Sequence, residues 1–307
     1  MNILEVEEVS KTFGNQKILD GVNFHVPEHS VFGFLGQNGA GKTTTMKIVL
    51  GLLQADHGTV RVNDQKVTYG QTKTNRYIGY LPDVPEYYGY MKPKEYLRLC
   101  GEITGVSKKE ADKRIEELLH LVGLEKANKK IAGFSRGMKQ RLGIAQALFN
   151  EPKLLICDEP TSALDPIGRK EILDILYQVK DKTTVVFSTH ILSDVERICD
   201  TIAVLNKGKI QMQGELSQIK EKNKREGVEV EFASKDAKER FLEEMNQRQI
   251  VYKQSEENPL LVEVRGKDQE QLAKRTLHIL AEKEIIPVRF FCMEPTLEDL
   301  FMEVVKG

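Results

Sequence analysis

One stretch decides the fold of this chain: Gly36-Gln37-Asn38-Gly39-Ala40-Gly41-Lys42-Thr43. The stretch fits the phosphate-loop pattern G-x-x-x-x-G-K-[ST], in which glycines let the backbone turn tightly and approach a phosphate. An apolar run at 31–35 precedes it and predicts a buried strand, and a run that can continue as a helix follows from Thr44. A chance glycine-rich turn is the alternative, which the order of strand, loop, Lys-Thr and helix disfavours.

Each part of this loop has a predicted role towards a bound phosphate chain. Successive backbone N–H groups and the positive end of the helix dipole would face the anion. Lys42 adds a mobile positive charge for the β- and γ-phosphates, and the hydroxyl of Thr43 is a candidate Mg²⁺ ligand. The next hydroxyl, Thr44, could reach the α-phosphate. The loop therefore predicts a site for a nucleotide and its Mg²⁺.

Composition narrows the class of protein. The chain has 307 residues, which suggests two domains of about 150 residues each. Its 45 basic and 46 acidic residues nearly cancel, so the charge balance gives no reason to expect a nucleic-acid partner. The cysteines form no CxxC pair, which favours a reduced, cytosolic chain without disulfides or structural zinc; they are Cys100, Cys157, Cys199 and Cys292. Charges interrupt residues 1–7, which do not resemble a signal peptide, and no apolar run approaches the ~20 residues of a membrane-spanning helix.

The N-terminal third reads mainly as strands. Alternating apolar and polar residues over 2–30 predict short strands separated by turns at Gly14-Asn15 and at Asp20-Gly21. Phe13 stands alone between polar neighbours, and two interpretations remain open: packing within a strand, or a flat face on which adenine stacks. A hairpin is expected over 58–67. Apolar residues at helical spacing then predict helices over 93–125.

A second candidate anion site precedes a helix near residue 142. Ser135 and Gly137 lie at its head, where a Ser hydroxyl and free backbone N–H groups can face an anion. A Ser at a helix N-terminus is also common for structural reasons alone. The pattern by itself does not separate the two interpretations.

Two carboxylates and a histidine end the next predicted strands. An apolar strand at 154–157 is followed by Asp158 and Glu159. Neighbouring side chains on a strand point to opposite sides, so Asp158 could face Mg²⁺ while Glu159 faces an attacking water. His190 ends the strand that begins at Thr184. A lone histidine is often structural, but the carboxyl ends of parallel strands are where ligands bind in α/β folds.

The pattern changes after a charged, Gly-ended linker at 220–227. The following segments predict the order βαββαβ, with a final helix over 297–305, which is the ferredoxin-like or split βαβ arrangement. No motif with chemistry occurs in this part, and fold alone indicates no function. We therefore expect two domains, 1–220 and 221–307. The smaller one could be merely a stabilising cap.

Taken together, the motifs of residues 2–215 resemble those of the nucleotide-binding subunit of ABC transporters. The stretch from Gly36 to Thr43 resembles the Walker A loop, and the stretch from Leu154 to Glu159 resembles Walker B with its catalytic glutamate. Ser135-Arg136-Gly137-Met138 is similar to the signature loop, which is usually LSGGQ.

Three further positions extend the resemblance. Asp165 closes Ser162-Ala163-Leu164-Asp165, which resembles the D-loop. His190 resembles the switch histidine, and Phe13 the aromatic residue on which adenine stacks. The resemblance thus favours the functional interpretation of Phe13 and of Ser135.

The sequence departs from the family pattern at two places. Phe134, Arg136 and Met138 stand where Leu, Gly and Gln are usual in the signature loop, while its Ser and second Gly are kept. Asp83 stands at the position of the Q-loop glutamine. A carboxylate there could still hold Mg²⁺ or water, but the hydrogen bonding of a neutral amide is lost.

The resemblance implies an α/β fold: a P-loop ABC ATPase core with antiparallel β and helical subdomains, the latter at about 87–150, plus the smaller C-terminal α+β domain. It implies ATP and Mg²⁺ as cofactors and a head-to-tail pair of subunits, expected to be a homodimer. Walker A of one subunit and Ser135 and Gly137 of the other would hold each ATP. Glu159 would polarise water, and His190 would contact the γ-phosphate.

The resemblance also implies a separate transmembrane permease and a peripheral position on the cytoplasmic face of the membrane. The segment 294–301 is similar to the C-terminal segments of bacterial exporters of drugs, bacteriocins and lantibiotics, which favours export. The alternative is a soluble ABC ATPase that acts on ribosomes or nucleic acid. Such proteins usually carry two ATPase domains in one chain, and the near-neutral charge gives no basic footprint. No nucleic-acid partner is therefore expected.

Overall fold

The computed structural model describes residues 1–71, 73–222, 227–255, 258–266, 268–293, 297–298 and 300–301. The strands in these ranges are β1 (Asn2–Phe13), β2 (Gln16–Pro27), β3 (Val31–Leu35), β4 (His57–Val62), β5 (Gln65–Lys66), β6 (Ile78–Leu81), β7 (Leu154–Asp158), β8 (Thr184–Thr189), β9 (Thr201–Asn206), β10 (Lys209–Glu215), β11 (Gly227–Phe232), β12 (Tyr252–Gln254), β13 (Leu261–Arg265) and β14 (Pro287–Cys292). The α-helices are α1 (Lys42–Val49), α2 (Pro93–Ile103), α3 (Lys108–Leu121), α4 (Arg136–Ala147), α5 (Pro166–Val179), α6 (Leu192–Ile198), α7 (Leu216–Lys222), α8 (Lys235–Gln247) and α9 (Gln269–Glu282).

The contacts of the chain divide it into two compact units, with Met1–Gln218 in the first and Ile219–Leu300 in the second. The predicted linker is wrong at its start, because residues 220–222 complete α7. Residues 223–226 of that predicted linker lie outside the described residues. Within the described residues, no helix is both long and apolar enough to cross a lipid bilayer.

The first unit is built on a mixed sheet with the strand order β10-β9-β3-β8-β7-β6. The strands from β9 to β6 pair in parallel, and β10 pairs antiparallel with β9. The strands β3, β7 and β8 are buried along their whole length, which explains their continuous apolar sequences. Because these strands are neighbours and parallel, the loops after them meet at one edge of the sheet.

A second, antiparallel sheet has the order β2-β1-β4-β5. The predicted turn at Gly14-Asn15 connects β1 to β2, but the predicted turn at Asp20-Gly21 is wrong because β2 runs through it. The pairing between β1 and β2 shifts register there, and Gly21 has φ 62°. A bulge inserts an extra residue without ending the strand, and Gly adopts positive φ at little cost. The same dipeptide can therefore make a bulge instead of a turn.

Helix α4 lies very close to strand β6, because each contributes a glycine to the contact. A Cβ built on Gly79 of β6 would lie 2.2 Å from the backbone oxygen of Ala147. A Cβ built on Gly143 of α4 would lie 2.4 Å from Cδ1 of Leu81. The head of α4 is thus held against the strand that leads to Asp83.

Replacing Gly79 by Ala should destabilise the chain by about 1–3 kcal/mol, because the new methyl group meets backbone and the elements must separate. The measurement is the free energy of unfolding in urea. Gly133→Ala is the control, since the nearest atom to its added Cβ, on a Lys side chain, lies 3.9 Å away. Equal unfolding midpoints for the two variants would contradict this close contact.

The second unit contains an antiparallel sheet with the strand order β12-β13-β11-β14. Along the chain its elements are β11, α8, β12, β13, α9 and β14. This is the split βαβ arrangement, so the predicted ferredoxin-like fold is confirmed for the described residues. Residues 297–298 and 300–301 are helical, and the remainder of the predicted final helix lies outside the described residues.

Candidate active site

A cavity of about 570 Å³ opens where the loop between β3 and α1 meets the ends of β1, β6, β7 and β8. Its lining comes from six separate segments of the first unit. The lining residues are Phe13, Ile18, Asn38, Gly39, Gly41, Lys42, Thr43, Thr44, Asp83, Glu159, Ser162 and His190. Both predicted catalytic residues, Glu159 and His190, therefore line the same cavity as much of the predicted phosphate loop.

The loop itself has the backbone that an anion site needs. Gly39 and Gly41 have φ of 82° and 111°, which a side chain would strain. A Cβ on Gly36 would lie 2.7 Å from the backbone oxygen of Leu205, so β9 excludes any larger residue there. No side chain caps the start of α1, which leaves its first N–H groups available to a ligand.

Lys42 points back into the loop and is almost fully buried. Its Nζ donates to the backbone oxygen of Gly36 at 2.7 Å and to that of Gln37 at 3.3 Å. It also forms an ion pair with Oε1 of Glu159 at 3.1 Å. A buried ammonium needs such partners, and a phosphate oxygen is a stronger one than a carbonyl. The ammonium group of Lys42 is thus already held at the loop.

Thr43, Asp158 and Ser188 form a hydrogen-bonded chain under the loop. The Thr43 hydroxyl donates to Oδ2 of Asp158 at 2.8 Å, and the Ser188 hydroxyl donates to Oδ1 at 2.5 Å. Asp158 is buried, and both of its oxygens are oriented by these bonds. A carboxylate and a hydroxyl therefore stand side by side at the start of α1.

Glu159 turns away from Asp158 and faces two basic side chains. Its φ is 49°, and its backbone N–H donates to the backbone oxygen of Ser188 at 3.1 Å. Its Oε2 lies 3.0 Å from Nδ1 of His190, and its Oε1 lies 3.1 Å from Nζ of Lys42. The adjacent carboxylates therefore face different partners, and the turn at Glu159, which lies beyond the end of β7, sets this direction in place of the predicted strand alternation.

Phe13 lies at the end of β1 with about half of its surface exposed, at 48%. Its ring lines the cavity, and Nζ of Lys11 lies 5.4 Å from the ring centroid. The exposed part of the ring is therefore accessible from the cavity. The placement agrees with a stacking face.

Asp83 lines the cavity after β6, and its carboxylate is engaged by α4. Nη2 of Arg136 lies 3.2 Å from Oδ1 of Asp83, and both side chains are partly exposed. The side-chain amide of Gln140, which is fully buried, donates to the backbone oxygen of Asp83 at 2.7 Å. The two positions where the sequence departs from the family pattern are thus in direct contact.

Ser135, Gly137 and Asp165 are not among the residues that line this cavity. The Ser135 hydroxyl accepts a hydrogen bond from the N–H of Met138 and begins α4. The Asp165 carboxylate does the same for Gly168 and begins α5. Ser135 and Asp165 are thus helix N-caps, and Gly137 lies in the first turn of α4. Three other predicted residues, Gly36, Gln37 and Ala40, lie in the loop without lining the cavity.

Sequence reasoning missed Ser188 and Ile18, and it named Ser162 only as part of the stretch that resembles the D-loop. Ser188 holds both Asp158 and the backbone of Glu159, and its position two residues before His190 was an available signal. Ile18 lines the cavity from β2, where it reads as an ordinary strand residue. Ser162 also lines the cavity.

Comparison with known proteins gives consistent matches. The family model for "ABC transporter" matches residues 19–162. The chain is 38% identical to the uncharacterized ABC transporter ATP-binding protein YxlF of Bacillus subtilis, over 99% of this chain and 100% of that protein. It is 34% identical to the bacitracin transport ATP-binding protein BcrA of Bacillus licheniformis, over 99% of this chain and 98% of that protein.

Solved structures agree with these sequence matches. One, the ATP-binding subunit of an ABC transporter, has a TM-score of 0.65 and 34% identity over 72% of this chain and 92% of that one. The two relatives match along nearly the whole length of the chain, and its cavity brings together residues of the phosphate loop, Glu159 and His190. The chain belongs to the ATP-binding proteins of ABC transporters, ATPases whose hydrolysis is coupled to transport.

Proposed function

We propose that this chain binds ATP and Mg²⁺ in the cavity at the phosphate loop, uses Glu159 to activate water, and works as a pair of identical subunits on a separate membrane permease. One observation carries the proposal. Glu159 stands between Lys42 and His190, at 3.1 Å and 3.0 Å. A carboxylate in contact with both a cation for phosphate and an imidazole fits phosphoryl transfer to water.

The phosphate loop supplies the binding half of this activity. The N–H groups of residues 36–41 and the start of α1 would face the β- and γ-phosphates, with Thr44 near the α-phosphate. Lys42 would exchange its contacts with loop carbonyls for contacts with phosphate oxygens. Phe13 would stack on the adenine. The loop would then distinguish nucleotides by their number of phosphates.

Thr43 and Asp158 are the proposed Mg²⁺ ligands. Their oxygens lie 2.8 Å apart, and hydroxyl and carboxylate oxygens are the hard donors that Mg²⁺ prefers alongside water and phosphate. When bound, the cation neutralises charge on the phosphates. Asp83 is the third candidate, and Arg136 competes with the cation for the same carboxylate.

Glu159 and His190 supply the catalytic half. Oε1 of Glu159 is paired with Lys42, and when Lys42 turns to a phosphate oxygen, Oε1 would become available to accept a proton from water. His190 holds the other carboxylate oxygen and can turn its imidazole to the γ-phosphate. Together they would orient a water for attack while Lys42 stabilises the developing charge.

The head-to-tail pair follows from the residues that do not line the cavity. Ser135 and Gly137 begin a 12-residue helix away from the chain's own phosphate loop. In the proposed pair, this helix N-terminus faces the γ-phosphate held by the other subunit, and Asp165 contributes from the D-loop. ATP would then bridge two helix N-termini, and loss of the γ-phosphate would release them.

The membrane partner and the direction of transport belong to the same proposal. A separate permease would hold the chain on the cytoplasmic face of the membrane, with the helical segment 87–150 transmitting movement to it. The relative BcrA is named for bacitracin transport, and this supports export of a compound from the cell.

Isolation of the tagged chain from its own cells in mild detergent tests the partner. Mass spectrometry should identify a membrane protein with several spanning helices, enriched over a Lys42→Ala version only when ATP is present. Recovery of ribosomal proteins or nucleic acid without a membrane protein would contradict the proposal and favour the ribosome-directed alternative.

Replacing Phe13 by Ala should weaken ATP binding about tenfold, because one base–aromatic stacking contact is lost. Calorimetric titration of ATP measures this, and Phe13→Tyr should bind as the parent does. The thermal midpoint should barely change, since the ring is half exposed. A lower midpoint with unchanged affinity would instead assign Phe13 to strand packing.

A further inference from the structure

We propose that Asp83 and Arg136 act as a single positioning unit that links the nucleotide cavity of one subunit to the signature residues it presents to the other. The inference rests on the proposed head-to-tail pair. The two residues are both departures from the family pattern, and they contact each other across 53 positions of sequence. Neither departure is explained separately, whereas the contact explains both.

Arg136 neutralises the negative charge of Asp83 beside the cavity. Asp83 adds a second carboxylate to a cavity that Glu159 already lines and that would receive a triphosphate, and the buried Asp158 lies just beyond Thr43. A further negative charge repels phosphate unless a cation neutralises it. Nη2 of Arg136 lies 3.2 Å from Oδ1 of Asp83 and supplies that cation. A neutral Gln at position 83 would need no such partner, and Arg136 would then have no carboxylate there.

The loop after β6 is also mechanically connected to α4. The loop after β6 is attached to α4 at three points: the Asp83–Arg136 ion pair, the 2.7 Å bond from Gln140 to the backbone oxygen of Asp83, and the 2.7 Å bond from the Tyr87 hydroxyl to the backbone oxygen of Lys139. Burial raises the pKa of Tyr87, so its hydroxyl remains a donor. The loop and the first turns of α4 therefore move together.

The contacts of Arg136 also affect the signature residues on either side of it. Arg136 lies between Ser135 and Gly137, so a change in its partner changes the first turn of α4. With Mg²⁺ and phosphates bound, Asp83 would divide its carboxylate between the cation and Arg136, which would weaken its contact with Arg136. Occupation of one subunit's cavity thereby sets how well its signature residues fit the nucleotide of the other subunit.

A charge swap tests this coupling in the Glu159→Gln background, where ATP is retained and the pair persists. The variants are Asp83→Arg, Arg136→Asp and the two combined, and analytical ultracentrifugation gives the dimer dissociation constant in ATP. Each single change should weaken the dimer about tenfold, and the combined swap should restore it to within about threefold. In dilute, monomeric protein, Arg136→Asp should also weaken binding of a fluorescent ATP analogue, because Asp83 loses its neutralising cation, and the combined swap should restore that affinity.

The Arg98–Asp112 ion pair provides a matched control. Its shortest contact is 2.6 Å, its exposure is similar, and neither residue lines the cavity. The same swap there should leave the dimer constant unchanged. If the control swap weakens the dimer equally, or if the losses at Asp83 and Arg136 multiply in the combined variant, the inference is overturned.

Two safeguards keep the test decisive. Should the swapped chains melt early, Asp83→Gln with Arg136→Gly replaces both charges by the residues usual in the family. This neutral pair should dimerise within about threefold of the parent, while Asp83→Gln or Arg136→Gly alone should not. A parent that stays monomeric in saturating ATP rejects the proposed function and the inference with it. A dimerising parent whose neutral pair fails rejects the inference alone.

Discussion

Replacing Glu159 by Gln is expected to slow ATP hydrolysis about 100- to 10,000-fold, because a positioned general base contributes a factor of this size. The amide keeps the shape of the side chain but cannot accept the proton of the attacking water. ATP should still bind, since the substitution leaves Lys42 at the loop, where it can exchange its carbonyl contacts for phosphate oxygens. The measurement is the steady-state release of phosphate, alone and with the co-purified permease.

A matched control is available at Glu151. It also has a positive φ, at 51°, but its side chain is exposed and does not line the cavity. Glu151→Gln should hydrolyse ATP at the parent rate. If Glu159→Gln also hydrolysed ATP at that rate, Glu159 would not be the base and the proposed mechanism would be wrong.

Replacing Lys42 by Ala is expected to weaken ATP binding about 100-fold, because charge-assisted hydrogen bonds to the phosphates are lost. A second effect adds to the first. Glu159 loses the cation 3.1 Å away, so its buried carboxylate repels the incoming γ-phosphate. Equilibrium binding of ATP, ADP and AMP checks the result, and the loss should be smallest for AMP.

Lys47→Ala on the same helix is the control for this loss. Lys47 is exposed in the last turn of α1, outside the cavity. Its removal should leave the three affinities unchanged. Equal weakening by both substitutions would mean that the general charge of α1, and not the position of Lys42, governs binding.

Local motifs explain why much of the site could be predicted. The phosphate loop lies between a strand and a helix in the sequence, and a few residues fix its backbone. Asp158, Glu159 and His190 each follow a buried strand, and parallel strands bring their ends together. The α/β core and the split βαβ unit follow from the same patterns of apolar residues.

Other features depend on contacts between distant segments. No local pattern shows that Arg136 meets Asp83, or that Ser188 orients Asp158, because each pair is joined only when β6, β7, β8 and α4 are packed. Position 83 is predicted as a metal ligand from its place in the family pattern, and only the fold adds the competing guanidinium. The sequence Asp20-Gly21 is likewise compatible with either a turn or a bulge. It forms a bulge because β2 continues through it to pair with β1.

The central claim is that ATP joins two copies of this chain and that hydrolysis separates them. The direct measurement is sedimentation of Glu159→Gln in ATP, in ADP and without nucleotide. The account predicts a dimer in ATP and a monomer in the other two conditions, with Ser135→Glu abolishing the dimer while ATP still binds. A chain that remains monomeric with saturating ATP bound, or that dimerises equally without it, would contradict the account.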